Sequence, residues 1–371
     1  MTKRLERRRF LKGAGALGLA GTALAPGIAA PAIAQERFDW RMVTAWPTNF
    51  PGLGTGAKRL AQMIESASDG RIRITVYGAG EIVPAYESMD AVSSGSVEMG
   101  HGSPYYWKGK IEALQYLSAM PFGLTAQEQN AWLHYGGGQE LADKLYGELG
   151  CKFFPAGNTG VQMGGWFNRE IDTIEDLKGL KMRIPGLGGE VIRAAGGTPD
   201  DMPVGDIPAA LQSGRLDASE FVGPYNDLAI GLYKSAKFYY YPGWHEPATV
   251  TDCFINLKAW EALPDDLKAV VEAATTAVNE LILSEFERRN NESLRVLVEE
   301  HGVVLKRFSP QVLTELGRLS GEVLADLTGR DEPSREVFDS LTAFRKEAMA
   351  WAEVADSAFL SARELPYAYG A

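Results

Sequence analysis

Apolar and polar positions alternate along residues 38–44 (FDWRMVT), as they do in a half-buried strand. The spacing changes at residues 58–68, where Leu60, Met63, Ile64 and Ala67 share one face of an amphipathic helix ended by Asp69-Gly70. Alternation returns at residues 71–77 (RIRITVY). Strand, helix, strand in this order predicts a βαβ unit and a parallel sheet. A short helix over 87–94 and a turn plus strand over 95–102 (GSVEMGHG) follow.

The middle of the chain repeats this style. Strands are predicted at 151–155, 162–168, 181–184 and 237–241, with strand-like residues at 216–220. Helical segments are predicted from 173, after the Gly-rich turn at 186–189, at 203–213 and at 225–236. From 254 the pattern reads strand (254–256), nearly continuous helix (258–300), strand (301–308), and then helices introduced by Ser309 as cap and Pro310 as first helical residue. The reading is an α/β chain of two lobes with ligands held at strand ends in the cleft between them, and with long C-terminal helices. The expected boundaries are 36–157 plus 248–308 for lobe I, 158–247 for lobe II, and 309–371 for the C-terminal helices.

Residues 1–34 stand apart. Arg7, Arg8, Arg9, Phe10, Leu11 and Lys12 form a twin-arginine export pattern, a short Gly/Ala-rich apolar run follows, and Ala32-Ile33-Ala34 reads as a cleavage site. The apolar run falls short of the roughly 20 residues that span a bilayer. The whole chain of 371 residues carries a formal charge of −11, and residues 1–34 contribute +5 (six cations less Glu6), leaving −11 − 5 = −16. That balance argues against nucleic acid and anionic lipid as partners. The expectation is a soluble, exported protein of the periplasm.

The chemistry-bearing residues lie beside glycines at strand ends: Asn158 in AGNTG, Gln162 opening QMGGWF, Arg183 before Pro-Gly, Glu220 ending LDASE, His245 and Glu246 in YYYPGWHEP, and Tyr105, Tyr106 and Trp107 after Ser103-Pro104. A guanidinium matches a carboxylate in shape and charge. Arg183, flanked by Met182 and Ile184, therefore takes either a ligand or a structural partner such as Asp172, Glu175 or Asp176. Glu220 is either a solvated strand end or a hard-cation ligand, joined by the Gln162 amide oxygen and a main-chain carbonyl in a set suited to Na⁺ or Ca²⁺. Zinc finds no H-x-x-x-H or cysteine pairing among His101, His134, His245 and His301. Cys151 and Cys253 are either a disulfide or two buried thiols. No G-x-S-x-G, Walker loop or C-x-x-C is present, and the G-x-G-x-x-G at Gly13 to Gly18 has no strand before it. An exported cofactor enzyme thus lacks its motifs.

PAGNTGVQMGGWFNR, LKGLKMRIPGLGGEV, GRLDASEFVGPYNDL and YYYPGWHEP resemble the solute-binding receptors of TRAP transporters, DctP type, and among them the members for α-keto acids or lactate. The resemblance implies a receptor, not an enzyme, that closes around a small organic monocarboxylate and hands it to a membrane permease. It implies that Arg183 clamps the ligand carboxylate. Asn158 and a tyrosine of the Tyr105–Tyr106 pair would hydrogen-bond the ligand. Gln162, Glu220 and the carbonyl of Phe221 would hold Na⁺ or Ca²⁺, and Trp244 and His245 would line the pocket. Where the family commonly has tryptophan after this glutamate, this chain has Phe221, which alters the packing around the main-chain ligand. Homodimers built through C-terminal helices are common in such proteins. A dicarboxylate or sugar-acid receptor is the alternative; it would need more cationic groups or a larger pocket.

Overall fold

The computed structural model describes residues 36–366; the export pattern and cleavage site lie outside the described residues. The strands, in chain order, are β1 (Phe38–Thr44), β2 (Ile72–Tyr77), β3 (Met99–Gly102), β4 (Cys151–Asn158), β5 (Gly165–Phe167), β6 (Lys181–Arg183), β7 (Thr198–Asp200), β8 (Ala218–Ser219), β9 (Phe238–Tyr241), β10 (Val250–Asn256) and β11 (Val304–Arg307). They form two sheets, one ordered β2-β1-β3-β10-β4 and the other β11-β9-β5-β8-β6-β7. β1 pairs in parallel with β2 and β3, as the βαβ pattern requires, and β10 closes that sheet antiparallel between β3 and β4. This is the two-lobed α/β architecture expected from the pattern.

The chain passes between the sheets after β4, back after β9, and once more between β10 and β11; the segments after β4 and β9 are the two that concern the site. The two passing segments are hydrogen-bonded to each other. Gly243 N donates to Gln162 O (2.9 Å), Gln162 N to Glu246 O (3.2 Å) and Thr159 N to Thr249 O (3.1 Å). Gly243 must lack a side chain here, because a Cβ would stand 2.4 Å from the Gln162 carbonyl oxygen.

Several elements differ from expectation. The first helix is Leu53–Ala67 and begins inside the Gly-rich stretch expected as loop. Gly54 and Gly56 sit within it because the helix lies close to its neighbours: a Cβ at Gly56 would stand 2.4 Å from Ile282 Cδ1. Residues 108–150, to which the pattern assigned nothing, carry helices Leu114–Ser118, Ala126–Tyr135 and Gly138–Glu148. The second of these starts in a Thr125/Glu128 capping box. β11, expected with lobe I, pairs in parallel with β9 in the second sheet. Ser309 does cap the helix Pro310–Arg330, its side chain accepting from Val312 N. The 35-residue helix Asp265–Glu299 packs on β4 and on the helices Leu53–Ala67 and Pro224–Ile230. Cys151 and Cys253 are buried and unpaired. They sit on adjacent strands, but Cys253 faces Phe154 and Cys151 faces Asn256, three residues apart along the ladder. No helix among the described residues is long and apolar enough to cross a membrane.

Candidate functional site

β6 is three residues long and ends on Arg183, after which Pro185 and Gly186 turn the chain into the helix Gly186–Ala194. Gly186 has φ +57°, and Tyr105 of the other lobe packs against it. The Arg183 side chain is fully buried. Its Nε donates to Met202 O (3.2 Å), and its Nη1 donates to Glu220 O (3.2 Å) and Glu220 Oε1 (2.5 Å). Its Nη2 is buried with no partner. The phenyl ring of Phe221 lies 5.3 Å from the guanidinium carbon.

This corrects one expectation. Arg183 is not left for a ligand alone; Glu220, just past β8, holds one arm of it. Two of the three local candidates are occupied elsewhere: Asp176 accepts from the backbone of Asp172 and Thr173, and Glu175 pairs with Lys178. A guanidinium closed off from water without a counter-ion is too costly to keep. The internal carboxylate satisfies Nη1, and Nη2 alone stays open.

Glu220 reaches in the other direction too, its Oε2 standing 3.3 Å from His245 Nε2. One donor atom from each of Glu220, His245 and Glu246 lies within 4.8 Å of the others, and all three residues are buried. Glu246 belongs with them although its role was not foreseen. The signal for it was present in the sequence, as the carboxylate next to His245 on the returning segment. Burial pushes Glu220 up to about 7 against the pull of Arg183. Burial also pushes Glu246 up to about 7, with the charge of Glu220 adding to the rise. For His245 burial lowers the pKa to about 4, so the imidazole is neutral at pH 7. Burial, the largest influence, opposes the charge on Arg183, but the Glu220 carboxylate together with the phenols of Tyr106, Tyr86 and Tyr105 outweighs it and holds the guanidinium above its ordinary range.

The first passing segment supplies two amides. Asn158 ends β4, and its Oδ1 accepts from Gly160 N (2.9 Å), which leaves Nδ2 buried and unpartnered. Gln162 Nε2 donates to Thr249 Oγ1 (2.9 Å) and Thr159 Oγ1 (3.2 Å). Those two hydroxyls fix the amide, and its Oε1 remains buried without a partner. Thr249 in turn donates to Glu246. No sequence signal marked Thr249 or Thr159 as the residues that orient Gln162.

Tyr105 and Tyr106 occupy the turn Pro104–Trp107 after β3, with Tyr105 buried and Tyr106 half-buried. Their rings meet edge to face at 4.7 Å. Both line a small cavity together with Gln162 and Phe221. Burial raises both phenols, so they are neutral donors at any working pH. Trp244 packs into the apolar cluster of the second sheet, 6.0 Å from Phe122 between ring centres, and stands behind His245.

The site thus presents one unused guanidinium nitrogen with its two N–H groups, two oriented amides, two buried carboxylates and neutral phenol and imidazole groups. Glu220 and Glu246 give the cluster with His245 two oxygen donors to one nitrogen, and Gln162 Oε1 is a further open oxygen on the segment hydrogen-bonded to Glu246, donors of the kind that suit Na⁺ or Ca²⁺. Nothing in it builds a nucleophile with an oxyanion hole.

The family model for bacterial extracellular solute-binding proteins, family 7 (DctP), matches residues 42–329. The chain belongs to that family. DctP proteins are solute-binding receptors rather than enzymes. Among relatives of this DctP chain, a monocarboxylate 2-oxoacid-binding periplasmic protein of Nostoc sp. is 43% identical over 318 residues, which cover 85% of this chain and 86% of the relative. A TRAP periplasmic solute-binding protein from Pseudoalteromonas atlantica, solved with bound sodium and pyruvate, superposes with a TM-score of 0.86 at 39% identity, covering 88% of this chain and 99% of that one. A counterpart from Colwellia psychrerythraea, solved with calcium and pyruvate, gives 0.85 at 38% identity with coverage of 88% and 99%.

Proposed function

We propose that this DctP protein is the periplasmic receptor of a TRAP transporter. It takes up a small 2-oxo or 2-hydroxy monocarboxylate of the pyruvate or lactate type together with Na⁺ or Ca²⁺, and passes the acid to the membrane permease. The observation that carries the reading is that four of the thirteen buried side-chain polar atoms with no internal partner among the described residues gather at this site: Arg183 Nη2, Asn158 Nδ2, Gln162 Oε1 and His245 Nδ1. Buried polar groups in folded proteins are nearly always paired. Three of these sit on residues expected to touch the acid and the fourth on a residue expected to touch the cation, and relatives at 38–39% identity hold pyruvate with sodium or calcium.

In this reading Arg183 Nη2 and Asn158 Nδ2 donate to the ligand carboxylate, and Tyr105 or Tyr106 adds a phenol donor. Gln162 Oε1, a Glu220 oxygen and the Phe221 carbonyl hold the cation, with Glu246 beside them. His245 stands at the 2-oxygen, and Trp244 backs it. A cation supplies a positive charge that the acid's carboxylate and 2-oxygen can share. The lobes divide at the two passing segments, lobe II being 158–247 with β11 added to its sheet. Residues 1–34 direct export by the twin-arginine route. A second copy of this chain covers the C-terminal helices, where Trp351 is 69% and Phe359 66% exposed.

The test is calorimetric titration with pyruvate, lactate, succinate and a sugar acid, each in Na⁺, in Ca²⁺ and in chelator-treated, cation-free buffer. Tight binding of pyruvate or lactate that needs one of the cations is expected. Preference for succinate, or cation-independent binding, refutes the reading. Light scattering reports the dimer, and a signal-peptide reporter fusion reports the export route.

A further inference from the structure

Tyr86 lies in the turn Ala85–Glu87, between β2 and the short helix Ser88–Ser93, and thus belongs to the first sheet's lobe. It carries no motif, yet its ring stacks on Tyr106 with centres 4.5 Å apart and planes at 28°. Its hydroxyl donates to the main-chain oxygen of Asp201 at 2.6 Å. Asp201 lies beyond β7 in the second sheet's lobe, so this hydrogen bond crosses the cleft. The next carbonyl along, Met202 O, is the one that accepts from Arg183 Nε. A further bond anchors that strap to the end of β6, Ile184 N donating to Asp200 O (2.9 Å), and a local one stiffens it, Met202 N donating to Asp200 Oδ1 (3.0 Å). A single phenol therefore joins the aromatic wall of one lobe to the strap that holds the ligand-clamping arginine of the other.

We propose that Tyr86 is a positioning residue that latches the cleft over the bound acid. It keeps the Asp201–Met202 strap, and through it Arg183, pressed toward Tyr106. The inference rests on the proposed function for its ligand but not for its contact. Burial raises the Tyr86 hydroxyl well above its ordinary range, so it stays a donor throughout the working pH range. The other cross-cleft pair at this mouth, Lys108 Nζ to Glu190 Oε1 at 3.6 Å, is partly exposed to solvent, and such pairs hold little.

The experiment is stopped-flow tryptophan fluorescence of the full mature chain with pyruvate in saturating Na⁺ or Ca²⁺, comparing wild type, Tyr86→Phe and Lys108→Ala. Phenylalanine keeps the ring on Tyr106 and removes only the hydroxyl. A latch predicts that Tyr86→Phe speeds pyruvate release by roughly 5- to 10-fold, the loss of one good hydrogen bond. The association rate stays unchanged, the melting temperature falls by no more than a few degrees, and Lys108→Ala behaves as wild type. A release rate within about twofold of wild type for Tyr86→Phe, or an equal acceleration by Lys108→Ala, overturns the latch. Hydrogen exchange of residues 199–203 in the ligand-free protein provides a second arm. Faster exchange in Tyr86→Phe supports the latch, and equal protection overturns it. A wild-type protein that ignores pyruvate would overturn the proposed function instead, with the exchange arm still deciding the latch.

Discussion

Replacing Arg183 with lysine separates the charge of the guanidinium from its shape. In the native site three nitrogens do three different things: Nε holds Met202 O, Nη1 holds Glu220, and Nη2 is unused by the protein. A lysine ammonium is a single point and can occupy one of these places. The attraction to Glu220 makes that place the Nη1 position, so the buried ion pair survives. Met202 O loses its partner, which costs about 1 kcal/mol and lowers the melting temperature by a few degrees. The ligand loses the Nη2 arm, a desolvated charge-assisted hydrogen bond contributing about 2–3 kcal/mol, or roughly 30- to 150-fold in affinity. Differential scanning fluorimetry and calorimetric titration with pyruvate read the two effects on one preparation. A well-folded Arg183→Lys protein that binds pyruvate within about threefold of wild type would show that only the charge matters, and the assignment of Nη2 to the acid would be wrong.

Glu220→Gln keeps the shape and an acceptor but removes both a cation ligand and the buried counter-charge of Arg183; the melting temperature is expected to fall, and pyruvate affinity to drop more than tenfold and lose its dependence on Na⁺ or Ca²⁺, checked by fluorimetry and by titration with and without chelator. Thr249→Val removes the hydroxyl that fixes the Gln162 amide, and a loss of roughly 1–2 kcal/mol in binding with a smaller change in melting temperature is expected. Asp227 is buried beneath Trp166 Nε1 (2.8 Å) and Tyr239 OH (2.6 Å), and burial raises it from 3.8 to about 7. The folded state therefore binds its proton more tightly than the unfolded chain. This contribution is fully present below pH 4 and is lost as pH rises through 7, an effect of about 4 kcal/mol. Asp227→Asn should flatten that part of the urea-midpoint profile between pH 4 and 8, and equal slopes in the two proteins would contradict the assignment.

What could be read from the sequence was local. The alternation of residues 38–44 and 71–77, and the Ser309-Pro310 start, each state their structure within a few residues. Arg183 announced itself because its neighbours in the chain are apolar. Its partner did not, because Glu220 is 37 residues away and meets it only when β6 pairs with β8. Longer separations, 87 and 115 residues, hid Thr249 from Gln162 and Tyr86 from Asp201. β7 is three residues long and includes a proline, so no periodicity marks it. The early start of the first helix was missed because its glycines read as loop. They are there for close packing, and the residue that requires it, Ile282, lies more than two hundred positions later.

The contact between the two passing segments has a consequence for how this receptor can change over generations. The oxygen of Gln162 that accepts from Gly243 belongs to the residue whose amide we propose as a cation ligand, and a side chain at 243 would push directly against it. In the proposed function, cation grip and the join between the two halves thus depend on the same few atoms. A substitution that loosens one loosens the other, and adaptation to a new acid has its room at the tyrosines and at Phe221, away from this seam.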